Sequence, residues 1–151
     1  MTGSDHLANM ANILDRDMAV VAKEIELTPE EHLWKSIPGI TNPVGTLARH
    51  LCGNLRHFIG EELGSDGYTR DRDGEFSHSP WTKSELLDEV SSTRAAIRKT
   101  LSALDPELMS APMPNPPPQH KGVTVGFFLV QLSCHLSRHS GQLNYLRRTL
   151  H

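Results

Sequence analysis

His135 and His139 stand four residues apart in the run His135-Leu136-Ser137-Arg138-His139-Ser140-Gly141-Gln142, inside an otherwise amphipathic stretch. Residues four apart on an α-helix lie about 40° apart around the axis and one turn along it, so the two imidazoles can converge on one divalent ion. A third ligand has to come from another element, and His50 is the candidate. At about 100° per residue, the apolar stripe of this last helix is Val125, Leu129, Leu132, Leu136, Leu143 and Leu146. His139 falls near the centre of that stripe, with His135 and Gln142 along one edge. In the earlier segment His50 and Asn54 sit on one flank of the stripe Leu47, Leu51 and Phe58. Both sets face a common groove.

Inward imidazoles are costly to bury unless their nitrogens are satisfied. A metal satisfies one nitrogen of each ring and leaves the other to an acceptor behind it. Three neutral imidazoles with an open position suit Zn, Ni or Fe(II), and three ligands plus water is the layout of a catalytic site. Such an ion acts as a Lewis acid and lowers the pKa of a bound water or low-molecular-weight thiol, whose hydroxide or thiolate attacks an electrophilic small-molecule substrate. The bland alternative is a pair of hydrogen-bonded or partly exposed histidines at a common helical spacing.

Asn54, His57 and Gln142 are candidates to position substrate or water, against the plainer role of helix-surface polarity or support for the ligands. His57 lies on the His50 side but two turns on, about 10.5 Å along the axis, which places it at the groove rim or surface and not on the same ion. Arg70 and Arg72 could receive a substrate carboxylate, although an alternating Arg/Asp run is more often a solvated, self-paired loop. His6, His32, His78, His120 and His151 fall in termini, turns or loops and receive no role. Cys134 points about 100° from His135, and Cys52 points away from the groove. No motif marks a separate general base.

Four principal helices must position these groups. The first runs from about Asp5 to Glu26, with Leu7, Met10, Leu14, Met18, Val21 and Ile25 at helical spacing. Thr28-Pro29-Glu30-Glu31 reads as a short turn with Thr28 as N-cap, ending by Ile37-Pro38-Gly39. The second helix starts at Asn42-Pro43, an N-cap followed by proline at N1, and runs to about Leu63 on the face Val44, Leu47, Leu51, Leu55 and Phe58. Gly64 to Pro80 reads as a loop. The capping box Thr82-Lys83-Ser84-Glu85 opens the third helix, which carries Leu86, Val90, Ile97, Leu101 and Leu104, and Asp105-Pro106 closes it. Pro112 to Pro118 cannot be helical and reads as extended. The fourth helix runs from about Thr124, its cap, to Leu150. A short strand pairing Val123–Val125 with part of Glu107–Met113 is the one sheet-like expectation. The fold class is therefore all-α: a four-helix bundle with a long loop between helices 2 and 3 and a proline-rich connection before helix 4.

The chain of 151 residues fits a single domain with a real core. A formal charge of −3 offers no electrostatic case for nucleic acid. The two cysteines form no CxxC pair, and reduced cytosolic thiols are the simplest reading. No signal peptide is evident at the start, and the longest apolar run, around Val123 to Val130, is far shorter than a membrane span. The expected location is the cytoplasm.

The ordered motifs resemble the DinB-like superfamily of metal-binding bundles. His135-Leu-Ser-Arg-His139-Ser-Gly-Gln142-Leu-Asn-Tyr-Leu-Arg looks like its last-helix signature. Leu47-Ala-Arg-His50-Leu-Cys-Gly-Asn54-Leu-Arg56 is similar to its first histidine segment, and Arg70-Asp-Arg72-Asp73-Gly-Glu75-Phe76 to a loop that follows in one branch. The likeness covers most of the chain, in order, and the rigid Pro112 to Pro118 connection departs from it. It implies a four-helix bundle, usually a homodimer, holding Ni or Zn through three histidines, which here would be His50, His135 and His139. Relatives of that kind include thiol-cofactor S-transferases, a mycothiol-dependent isomerase and proteins described as metal-dependent hydrolases. Small residues on the outer side of the fourth helix (Ser133, Ser137, Ser140, Gly141) would allow close helix approach, compatible with a dimer or with tight packing inside one bundle.

The functional expectation is a divalent-metal-dependent hydrolase or low-molecular-weight-thiol S-transferase with an open three-histidine site. The alternative is a non-catalytic dimeric bundle with a structural or vestigial metal site, acting as a stress-related binding module. A metal-free interaction protein is a third class, in which replacing the histidines would be harmless or stabilising.

Overall fold

The computed structural model describes residues 2–77 and 80–150, and these form a helical bundle. Helix α1 (Gly3–Leu27) opens with a capping box in which the Thr2 hydroxyl accepts from the Asp5 N–H and the Asp5 carboxylate accepts from the Thr2 N–H. Leu7, Leu14, Met18, Val21 and Ile25 are buried, as their spacing requires. Thr28 does not cap the turn that follows. Its hydroxyl donates back to the Glu24 carbonyl at 2.7 Å and closes α1, and the short 3-10 turn Glu30–His32 begins after Pro29 without a side-chain cap.

Helix α2 (Val44–Leu55) has Pro43, not Asn42, at its N-cap. The cap side chain is dispensable here because the Gly45 N–H finds the Leu33 carbonyl at 2.8 Å. Beyond Leu55 the helix widens into a π segment, Arg56–Glu61, so it stops short of Leu63. The expected loop after it contains a further short helix, α3 (Arg72–Phe76), capped by the Asp71 carboxylate on the Gly74 N–H at 2.9 Å.

Helix α4 (Lys83–Ala103) begins at the expected capping box of Thr82 and Glu85 and buries Leu86, Val90, Ile97 and Leu101. Replacing Thr82 by alanine is expected to cost about 1 kcal/mol, read as a lower urea midpoint at unchanged m-value. Asp105 caps a 3-10 turn, Pro106–Ser110, and the proline stretch ends in a second one, Pro118–His120, so it is not extended throughout. The expected strand pairing reduces to one bridge between Pro112 and Thr124, held by Met113 N–H to Val123 O and Val125 N–H to Ala111 O, both 2.9 Å. Helix α5 (Val125–Thr149) is capped by Thr124.

Helices α4 and α5 each pack against both α1 and α2, while α1 and α2 barely meet. The bundle therefore places α1 diagonally opposite α2, and its two long connections, 28–43 and 104–124, cross those diagonals. Asp15 ties α1 to α4 through Arg94 (2.8 and 2.9 Å) and Arg98 (2.7 Å). The buried Glu24 ties α1 to α5 through Asn144 at 2.8 Å and Arg147 at 2.5 Å. Among the described residues no helix is long and apolar enough to cross a membrane. The adjacent pair α2 and α5 carries the histidines.

Candidate metal centre

Helix α5 buries Leu129, Leu132, Leu136, Leu143 and Leu146, which fixes its rotation and turns His135 and His139 towards α2. Leu47, Leu51 and Leu55 do the same for α2 and present His50. The three imidazoles meet nearly edge to face, with ring centroids 4.5 Å (His135–His139), 5.1 Å (His50–His135) and 5.6 Å (His50–His139) apart. His135 Nε2 lies 3.2 Å from His50 Nε2 and 3.1 Å from His139 Nε2.

Proton placement makes this cluster unusual. The His50 Nδ1–H donates to Glu75 Oε2 at 3.1 Å, and the His139 Nδ1–H donates to Gln142 Oε1 at 2.5 Å. In the neutral tautomer that these two acceptors favour, both rings turn an unprotonated Nε2 towards His135, and a single proton on His135 Nε2 would then have two acceptors. A cation satisfies all three nitrogens at once. Three nitrogens held about 2.0–2.1 Å from one ion in tetrahedral directions are about 3.3 Å apart, close to the two separations seen. The three histidines are a group that could hold a metal ion, with ligand atoms all within 4.8 Å of one another.

Burial disfavours the charged form of His135 and His139. It is the main reason the His135 pKa falls from 6.5 to about 4, reinforced by the neighbouring His139 and His50 and then by Arg138 and Arg70. Burial also lowers His139, partly offset by its bond to Gln142. Between these values the unfolded chain binds the proton that folded His135 refuses. Stability of the metal-free protein is therefore complete above pH 6.5 and declines as pH falls towards about 4. Melting curves of chelated protein between pH 7.5 and 4.5 should show this decline, and His135→Gln should make it shallower.

Sequence reasoning did not place Glu75, whose chemistry lies behind the cluster. It is 4% exposed and grips Arg70 through two parallel bonds, Nε to Oε1 at 2.7 Å and Nη2 to Oε2 at 2.8 Å. Burial alone would raise this carboxyl, but the bonds from Arg70 and His50 hold it below the ordinary carboxylate range. Glycine at position 53 makes room for it, because a Cβ there would stand 1.9 Å from Glu75 Oε1. The signal in the sequence was Arg70 five residues before Glu75, with Gly53 three residues after His50.

The cluster stands between two cavities. The larger, about 720 Å³, is lined by His50, His135, Arg70, Arg72 and several carboxamides; the other, about 560 Å³, is walled by Ile37, Ile40, Leu47, Tyr145 and Leu146 and reached by His139. Asn54 and His57 both line the larger cavity. The Asn54 Oδ1 is buried without a hydrogen-bond partner among the described residues, and His57 Nε2 lies 3.7 Å from Glu62. Gln142 lines the other cavity and touches His139, so it supports a ring of the cluster. Arg70 is self-paired as expected, yet in a buried setting and not in a solvated loop.

His120, given no role from sequence, lines the larger cavity with its ring 5.6 Å from Phe128. Cys52 is buried, its thiol pushed up to about 12 mainly by that burial, and Cys134 is exposed; neither joins the group. His6 is exposed and His32 half-buried in its turn, while His78 and His151 lie outside the described residues. Ser140 is buried and Ser133 bonds to the Leu129 carbonyl and towards Met10, so these two are used inside the bundle and not on an outer face.

The chain belongs to the family described as "Protein of unknown function (DUF1572)", which matches it over residues 1–151. No curated protein matches it.

Proposed function

We propose that this member of a family of unknown function is a divalent-metal-dependent enzyme, of hydrolase or low-molecular-weight-thiol S-transferase type, whose ion is held by His50, His135 and His139. The convergence of three Nε2 atoms, with that of His135 3.2 Å from His50 and 3.1 Å from His139, is the observation that supports it. Among the described residues no fourth His, Cys, Asp or Glu joins the group, which favours an open site over a closed structural one. A bound divalent ion, Ni or Zn or else Fe, supplies Lewis acidity that lowers the pKa of water or thiol. Glu75 and Gln142 hold two of the rings in the tautomer that ligates. Asn54 and His57 face the larger cavity, where they orient a substrate beside the cluster. A polar cavity on one side and an apolar one on the other suit a reaction that brings together two unlike groups, such as a thiol and an electrophile.

The same reading makes the protein cytoplasmic and homodimeric, acting on a small molecule. The outer stripe of α5, with Phe127 and Val130 half exposed and Ser137 and Gly141 open, is a surface on which two copies could meet. The functional test is a screen of metal-loaded protein for hydrolysis of activated esters and for conjugation of monobromobimane to small thiols. Turnover that needs the metal and disappears in His135→Ala is expected. A loaded protein silent on both reaction types would favour the non-catalytic metal-binding alternative.

A further inference from the structure

The charge lining the larger cavity is one-sided. The chain has 18 acidic residues against 15 Lys and Arg, yet among the described residues no Asp or Glu lines this cavity, whereas Arg70 and Arg72 do. The two arginines are not equivalent. Arg70 spends its guanidinium on both oxygens of Glu75. Arg72 is exposed and lies 5.8 Å over the Phe76 ring, with no carboxylate at ion-pair distance among the described residues. The Phe76 ring in turn is 5.1 Å from the His50 ring, so one aromatic side chain separates this guanidinium from the histidine cluster.

Resting on the metal-centre reading above, we propose that the larger cavity takes a small substrate bearing a carboxylate, bound by Arg72 at one end with its reacting group at the histidine cluster. A guanidinium offers two parallel N–H donors that match a carboxylate. A single unpaired permanent cation balances a monoanion, whereas a phosphate dianion would call for more positive charge. The unpartnered Asn54 Oδ1 is an acceptor for a donor on the substrate, and Phe58, Phe128 and Leu132 give its hydrocarbon part an apolar wall.

The test uses Co(II)-loaded protein titrated with 3-mercaptopropionate or with uncharged 2-mercaptoethanol at equal ionic strength, read by the thiolate–cobalt charge-transfer band. The parent should bind 3-mercaptopropionate about tenfold or more tightly than 2-mercaptoethanol, the effect of one charge-assisted contact. Arg72→Gln should bind Co(II) as the parent does and lose that preference. Equal affinity for the two thiols in the parent, or an undiminished preference in Arg72→Gln, would overturn the proposal while leaving the metal centre standing. Failure of the parent to bind Co(II) at all would remove the metal centre itself, and the proposal with it.

Discussion

The His135→Ala/His139→Ala variant should bind no divalent ion under conditions where the parent binds one, a loss of affinity on the order of a thousandfold or more, because a single imidazole remains of three. Calorimetric titration with Ni(II) and Zn(II) measures this directly. The metal-free variant should match the metal-free parent to within about 1 kcal/mol. Both rings are part-exposed, so replacing them opens no sealed cavity in the core. Added metal at a hundredfold excess over Kd should stabilise the parent by about 2.7 kcal/mol and leave the variant unmoved. A variant that unfolds without metal involvement would instead mark the histidines as packing residues.

The second large effect is expected at Glu75. In Glu75→Ala the Arg70 guanidinium, with its side chain 12% exposed, loses its carboxylate partner. Leaving one member of a buried pair uncompensated costs about 3–5 kcal/mol. His50 simultaneously loses the acceptor that fixes its tautomer, which should weaken metal binding by about 10–100-fold. The two effects separate in the double variant Arg70→Leu/Glu75→Ala. Removing both charges should restore much of the stability, by denaturant titration, and none of the metal affinity. Recovery of both together would mean that Glu75 acts only through the fold.

The caps and stripes were legible because each is a local matter. Thr82 with Glu85 and Thr124 cap their helices as their spacing dictates, and the buried leucines of α5 fix the rotation that carries His135 and His139 inward. His50 was legible for the same reason, from its angle to Leu47 and Leu51. Features decided by distant partners were not. Asn42 looks like a cap, but the Leu33 carbonyl already satisfies a donor of that turn, and Thr28 turns back to Glu24. Glu75 reads as one charge in an acidic–basic loop until α3 brings it over Gly53 to His50. His120 reaches the cavity only because the 104–124 connection crosses the bundle diagonal, and periodicity carries no record of such a crossing.

X-ray absorption spectroscopy at the metal edge of chelator-free, Ni- or Zn-loaded protein tests the open three-histidine centre most directly. Scattering from three imidazoles completed by oxygen from solvent, with no sulfur, is expected. A sulfur ligand, a fourth protein ligand closing the site, or spectra unchanged by His50→Ala would contradict it.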